Sequence, residues 1–327
     1  MIANAILATL AYYDGFDYPL SSFELYRYCI NPKRLDANTK VLNQISLEDI
    51  IKSLDVLVKK GLIVEEGGFY CLKEREGLST SRIEREKISA QKWRKCLRLG
   101  YWLQITPWVR GMFISGSLAM GTVSNNSDFD ILVLVEPRRL YITRLFLLGS
   151  ASLIGARRTK FEAIAPDKFC FNHYLTTDSL QITHESLYNA ETYSHLFPID
   201  VSQEMIGKFF AENIWINKFV YNFKPIRETI RRTIKPNHFF KGVAKFIETI
   251  FNNRLGDVLE RQAKEYQHKR IMQNPLTNAS GGRIIYTDKE LEFHPQSFEK
   301  VILGKYNDKI RQLGISMNTE PDSGLRS

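Results

Sequence analysis

The sequence predicts an α/β (α+β) protein, a small mixed sheet set between a compact N-terminal unit and a helical C-terminal region. Three observations carry this. Residues 46–60 repeat apolar side chains at spacings of three and four and run into a glycine-centred turn. Residues 111–182 alternate short apolar runs with helical stretches, the pattern of strands packed against helices. From residue 185 onward the apolar positions recur at helical spacing. The 327 residues suffice for more than one core. The expected segments are 1–75, 76–110, 111–182, 183–317 and a polar, Pro- and Gly-containing tail, 318–327, expected to be disordered.

In the first segment, residues 2–13 read as a helix, with no basic residue ahead of their apolar run; a first helix fits better than a signal peptide. Ser21 and Ser22 are placed to cap a second helix through Phe23, Leu25 and Tyr28. Ser46 starts the clearest helix. Leu47, Ile50, Ile51, Leu54, Leu57 and Val58 form its apolar stripe. Glu48 and Asp49 in the first turn and Lys59 and Lys60 in the last match the helix dipole, and Gly61 ends it. Residues 62–72 form a hairpin around Gly67 and Gly68. Three helices closed by a hairpin resemble a winged helix-turn-helix.

Residues 73–110 form a basic helical connector, with ten Lys or Arg against four Glu, an excess of six in a chain of net charge +9. Such charge favours an anionic partner: a nucleotide, a nucleic acid or an acidic surface. The four cysteines, Cys29, Cys71, Cys96 and Cys170, are widely spaced. They argue against a zinc site or a disulfide framework and for reduced thiols in a cytoplasmic protein. Residues 145–156 are apolar but too short to span a membrane; a buried helix is expected there.

Residues 112–115 and 129–135 read as buried strands, Pro137 as the first turn of a helix through Leu145, and residues 168–175 as a third strand. Helices are expected over 185–196, 203–219, 239–269 and 298–313, with a brief extended piece at 281–295.

The chemistry concentrates in residues 113–135. Gly116 lets a phosphate approach the backbone, and Ser117 adds a hydroxyl donor at a helix start. Asp128 and Asp130, two apart on a strand, share one face, while Phe129, Ile131, Val133 and Val135 take the other. Two adjacent carboxylates repel unless a cation lies between them. Mg²⁺ or Mn²⁺ bridging them to substrate phosphates meets that need.

A hydrophobic strand, Gly116-Ser117, a polar loop, Asp128-x-Asp130 and a second hydrophobic strand together resemble the signature of the DNA polymerase β-type nucleotidyltransferase superfamily. The larger layout resembles bacterial nucleotidyltransferase-domain proteins with a winged-helix N-terminus. The resemblance implies Mg²⁺-dependent transfer of a nucleoside monophosphate from an NTP to an acceptor hydroxyl. It implies nucleotide binding at Gly116 and Ser117, and metal binding and catalysis at Asp128 and Asp130.

The superfamily's third carboxylate falls, by alignment on the strand 168–175, at Asn172, an uncharged amide and a poor base. Strand alternation places Cys170, Asn172 and Tyr174 on one face, and Phe171 and His173 on the other. Glu162, Asp167 and Asp178 are alternative third acids, and His173 an alternative base. Other readings stand beside catalysis. One is nucleotide binding without turnover. Another is a DNA-binding regulator, although residues 46–60 balance three acids against three bases and lack a base-reading cluster. A third is an RNA-modifying enzyme using Trp93, Tyr101 and Trp102 among Arg94, Lys95 and Arg98. The fourth is adenylylation of a small molecule or protein, with Glu185, Glu191, Asn213 and Trp215 as possible acceptor-pocket residues.

Overall fold

The structure, a computed structural model, describes residues 1–35, 45–159, 162, 164–226, 232–278, 282–295 and 297–317. The expected disordered tail lies outside the described residues.

The N-terminal helices are α1 (Ile2–Asp14), α2 (Ser22–Arg27) and α3 (Leu47–Lys59). Both serines expected to start helices do so through reciprocal capping boxes, Ser21 with Glu24 and Ser46 with Asp49. Strands β1 (Leu20–Ser21), β2 (Ile63–Glu66) and β3 (Phe69–Leu72) form a three-stranded antiparallel sheet in the order β1-β3-β2. Gly67 and Gly68, both at positive φ, make its hairpin turn. Leu25, Ile50, Leu54, Leu57 and Ile63 are buried.

The long helix α4 (Leu78–Leu103) follows. Two of its basic residues, Arg82 and Lys92, are buried, whereas Lys87, Arg94, Lys95 and Arg98 are exposed. Arg82 is buried, pairs with Glu24 and Glu86, and lies 3.9 Å from the Tyr18 ring centre. Lys92 is buried too, and its Nζ donates to the carbonyls of Asn125 and Ser127 and to Asp167. Lys95 takes the other Asp167 oxygen. Trp93 belongs to the core. Arg82, Lys92 and Trp93 thus serve packing, while Arg94, Lys95, Arg98 and Trp102 remain on the surface. Arg82 ties α4 to the N-terminal unit, and Lys92 fixes the loop that leads into Asp128.

The main sheet has six strands in the order β7-β4-β5-β6-β9-β8. They are β4 (Val109–Ile114), β5 (Phe129–Val135), β6 (Phe169–Thr176), β7 (Phe197–Val201), β8 (Arg283–Tyr286) and β9 (Glu290–His294). Only β5 and β6 are parallel; helix α6 (Leu140–Leu153) is their crossover. The helical expectation for 183–317 is corrected here, since three of the six strands come from that region. Pro198 in β7 is tolerated because β7 is an edge strand.

Helix α6 begins at Leu140 rather than Pro137, because Arg138 adopts φ +63° and Arg139 N–H closes a turn onto the Glu136 carbonyl. Its end is not buried as expected; Leu153 lies open to solvent. The remaining helices are α5 (Gly116–Met120), α7 (Leu187–Ser194), α8 (Gln203–Glu212), α9 (His238–Phe251), α10 (Arg254–Met272) and α11 (Glu299–Gln312). Two expected long helices are broken by asparagine. Asn213 donates to the Phe209 and Leu180 carbonyls and ends α8. Asn253 accepts from the N–H groups of Leu255 and Gly256 and starts α10 afresh.

Two cores flank the sheet. On one side Phe113, Leu132, Leu134 and Leu175 pack with α1, α3, α7, α8 and α11. On the other, Ile114, Ile131, Val133, Phe171 and Tyr174 pack with α4, α6 and α10. No described helix is long and apolar enough to cross a membrane, and all four cysteines are free.

Candidate functional site

Asp128 and Asp130 lie at the start of β5, on the face that further along carries Leu132 and Leu134. Phe129, Ile131, Val133 and Val135 fill the opposite core. The two carboxylates and the Cys170 thiol bring their ligand atoms within 4.8 Å of one another, and all three side chains are half-buried. Against them stands Gly116, at φ +60°, the first residue of α5. A Cβ there would lie 2.2 Å from Asp130 Oδ2. Glycine is thus required twice, by backbone conformation and by the packed carboxylate. Ser115 N–H donates to the Asp130 carbonyl at 2.9 Å, tying the turn to β5.

Gly116→Ala is expected to cost about 1–2 kcal/mol from the backbone alone and to push Asp130 aside. Thermal denaturation and calorimetric titration with a nonhydrolysable NTP would read the two effects. A variant with the parent's stability and nucleotide affinity would contradict this account.

Asp128 has a partner that no sequence motif marks. Arg158 Nη1 donates to Asp128 Oδ2 at 2.5 Å and reaches to within 4.0 Å of Cys170 Sγ. Asp130 Oδ1 accepts from the Asn172 amide at 2.8 Å. The packing around Asp130, assisted by the neighbouring Asp128 and opposed by Arg158, pushes its carboxyl up to about 7. Burial, with both aspartates adding to it, raises the Cys170 thiol. Burial raises the Tyr188 phenol on α7, with a smaller contribution from the Asp130 charge.

The face assignment along β6 is corrected. Asp130 pairs with Cys170, but Leu132 pairs with His173, so β6 carries an extra residue between them. This bulge leaves Asn172 hydrogen-bonded to Asp130 and turns His173 to the same side of the sheet as Leu132. Tyr174 crosses to the opposite core. Three alternatives for a third acid lie elsewhere. Glu162 is held by Lys168 and Thr159, Asp167 by Lys92 and Lys95, and Asp178 is on an exposed turn.

The bulge instead joins His173 to carboxylates from β9. His173 lies across from Glu292, and Glu290 and Glu292 are on its side of the sheet. His173 Nε2 is 3.0 Å from Glu290 Oε1, and its Nδ1 is 2.9 Å from the Tyr193 hydroxyl. A usable signal was present in the sequence. Glu290, Glu292 and His294 alternate with Leu291 and Phe293, which a strand period places on one face.

Of the residues expected to line an acceptor pocket, three are buried and Glu185 lies on the surface. Asn213 and Trp215 are buried and bonded to each other, Glu185 pairs with Lys218, and Glu191 is sealed beneath α1.

Asp128 and Asp130 suit a hard divalent cation as oxygen donors. The raised carboxyl of Asp130 marks a place where a nearby positive charge would be favourable. The Cys170 sulfur is a poor magnesium ligand, so the fit rests on the two aspartates. Comparison of the chain with family models, with curated proteins and with solved structures returns no match.

Proposed function

We propose that the protein is a divalent-metal-dependent nucleotidyltransferase acting on an NTP and an acceptor hydroxyl. The observation that carries this reading is the joint between Gly116 and Asp130, a turn closed onto one of two adjacent carboxylates. Ordinary edge-strand aspartates have no need of such a joint. Asp128 and Asp130 would hold Mg²⁺ or Mn²⁺, which when bound neutralises phosphate charge and polarises the α-phosphoryl group.

In the reaction the acceptor oxygen gives its proton to solvent water and bonds to the α-phosphorus. The bond from that phosphorus to the leaving oxygen breaks, and pyrophosphate departs. Gly116 and Ser117 make room for the triphosphate and hydrogen-bond it. Arg158 would exchange Asp128 for two oxygens of a phosphate group, which its guanidinium can hold bidentately. Asn172 orients Asp130 through its amide.

The N-terminal unit fits a winged-helix arrangement, read from its helix and strand order and its β1-β3-β2 sheet. We assign it a packing role, since Arg82 and α1 bind it to the rest of the chain and α3 presents an exposed Glu48–Lys52 pair.

A second reading, nucleotide binding without turnover, is favoured by one observation. Asn172 occupies the aligned place of the third acid and cannot accept the hydroxyl proton. Incubating the protein with Mg²⁺ or Mn²⁺, each labelled NTP and a cell extract separates the two. Pyrophosphate release with a labelled product supports transfer, and the product's size separates small molecule, RNA and protein. Saturable NTP binding with no pyrophosphate under any condition supports the second reading and overturns the first.

A further inference from the structure

The chain contains six histidines, and three of them, His173, His184 and His294, gather at one end of the site face among Glu290, Glu292 and Glu299. His184 Nε2 lies 3.0 and 3.1 Å from the two Glu299 oxygens. His294 Nε2 is 3.7 Å from Glu292 Oε1. A ring nitrogen of His173 and one oxygen each of Glu290 and Glu292 fall within 4.8 Å of one another. Glu290, Glu292 and Glu299 are all buried, at 9%, 2% and 2% exposure. Among the described residues, the fixed positive charge placed against these three carboxylates is Arg283, whose Nε donates to Glu292 Oε2 at 2.5 Å. Each of the three carboxylates faces an imidazole, and a bound cation could take the place of an imidazole proton in neutralising them.

We propose that His173, Glu290 and Glu292 form a second divalent-metal centre, of imidazole–carboxylate type, that takes a first-row transition ion such as zinc. The donor set decides the class of ion. Imidazole nitrogen with carboxylate oxygen suits zinc, cobalt, manganese or iron, whereas magnesium prefers the all-oxygen pair at Asp128 and Asp130. The surroundings of His173 are those of a positioned ligand. The Tyr193 hydroxyl engages Nδ1 and fixes the ring, so that Nε2 points at the carboxylates. Arg283 occupies one oxygen of Glu292 and leaves the other facing His173 and His294. The ion would replace the Nε2–Glu290 hydrogen bond and supply positive charge against the two carboxylates. The centre draws nothing from Asp128 or Asp130, so it stands whether or not the nucleotidyltransferase reading does.

The test uses the full chain, stripped of metal and titrated with Co²⁺ and Zn²⁺. One equivalent of Co²⁺ is expected to bind with visible d–d absorption and to resist excess Mg²⁺. The signal should persist in Asp128→Asn/Asp130→Asn and be lost in Glu290→Gln/Glu292→Gln. If the glutamine variant does not fold, zinc-edge absorption spectroscopy of the unaltered chain decides. An imidazole in the first shell supports the proposal, because the Asp128, Asp130 and Cys170 group has none. A first shell with sulfur and no imidazole, a cobalt signal lost with the aspartates, or no stoichiometric metal overturns it.

Discussion

Asp130→Asn is expected to abolish nucleotide-dependent pyrophosphate release while making the metal-free protein more stable at pH 8. Metal-borne charge stabilisation is worth several kcal/mol. At 1.36 kcal/mol per tenfold in rate, its loss corresponds to about 10³-fold or more. The stability effect follows from burial. The Asp130 carboxyl is raised to about 7 from 3.8 in the unfolded chain. The native state therefore keeps a proton that the unfolded chain releases between about pH 4 and 7. Stability contributed at this position is highest below pH 4, declines through that window and levels above it. An amide needs no proton and is spared the loss, a gain on the order of a few kcal/mol at pH 8. Asp128→Asn differs in sign. It should also stop turnover, but it strips the partly exposed Arg158 of its partner and costs up to about 1 kcal/mol. Thermal denaturation at pH 5 and pH 8, beside a pyrophosphate assay, reads both variants. Turnover within tenfold of the parent in either one would end the mechanism.

That the two aspartates share a face was legible because strand alternation is local, and β5 is regular through them. The capped helices were legible for the same reason: Ser21 with Glu24 and Ser46 with Asp49 lie three residues apart. What failed was alternation along β6. No glycine marks the bulge there. It comes from pairing β6 with β5 on one side and β9 on the other, and both registers are tertiary. His173 was accordingly placed on the wrong face and Tyr174 on the wrong core. Arg158 was missed because the segment carrying it returns to Asp128 only after the α6 crossover. The strand character of residues 281–295 was visible, but its insertion beside β6, more than a hundred residues earlier in sequence, was not. The Asn213 and Asn253 helix breaks illustrate a further limit. Hydrophobic periodicity runs straight through both positions, and a single side-chain amide decides the boundary by capturing backbone groups.

Glu191→Gln is expected to flatten the alkaline side of the stability profile, a test of how the N-terminal unit is joined to the site-bearing half. Glu191 on α7 is fully buried beneath α1. Its Oε2 accepts from the Tyr13 hydroxyl at 2.8 Å, while Oε1 has no hydrogen-bond partner among the described residues. His195, one turn on, stacks on Tyr28 at 3.7 Å between ring centres. Burial pushes the Glu191 carboxyl up to about 8, against the lowering effect of the Tyr13 hydrogen bond. It pushes the His195 imidazole down to about 4. The signs separate the two. Glu191 has a folded value above its unfolded 4.5. Its contribution is therefore fully present below about pH 4.5 and lost as pH rises to 8. His195 has a folded value below its unfolded 6.5, so its contribution is present above pH 6.5 and lost as pH falls toward 4. Between pH 4.5 and 6.5 the two oppose each other. Above pH 7 Asp130 is completing its titration while Glu191 continues to lose its proton through about pH 8. Each pH unit over which the native state holds one extra proton is worth 1.36 kcal/mol. From pH 6.5 to 8.5 the parent should thus lose on the order of 1–2 kcal/mol that Glu191→Gln retains, while Asp130→Asn keeps the loss between pH 7 and 8.5. Melting temperatures across that range, in metal-free buffer, decide the matter. Parallel profiles for Glu191→Gln and the parent above pH 7 would mean that this carboxyl is ionised in the native state. The contact between α1 and α7 would then rest on a charged hydrogen bond rather than on a buried acid.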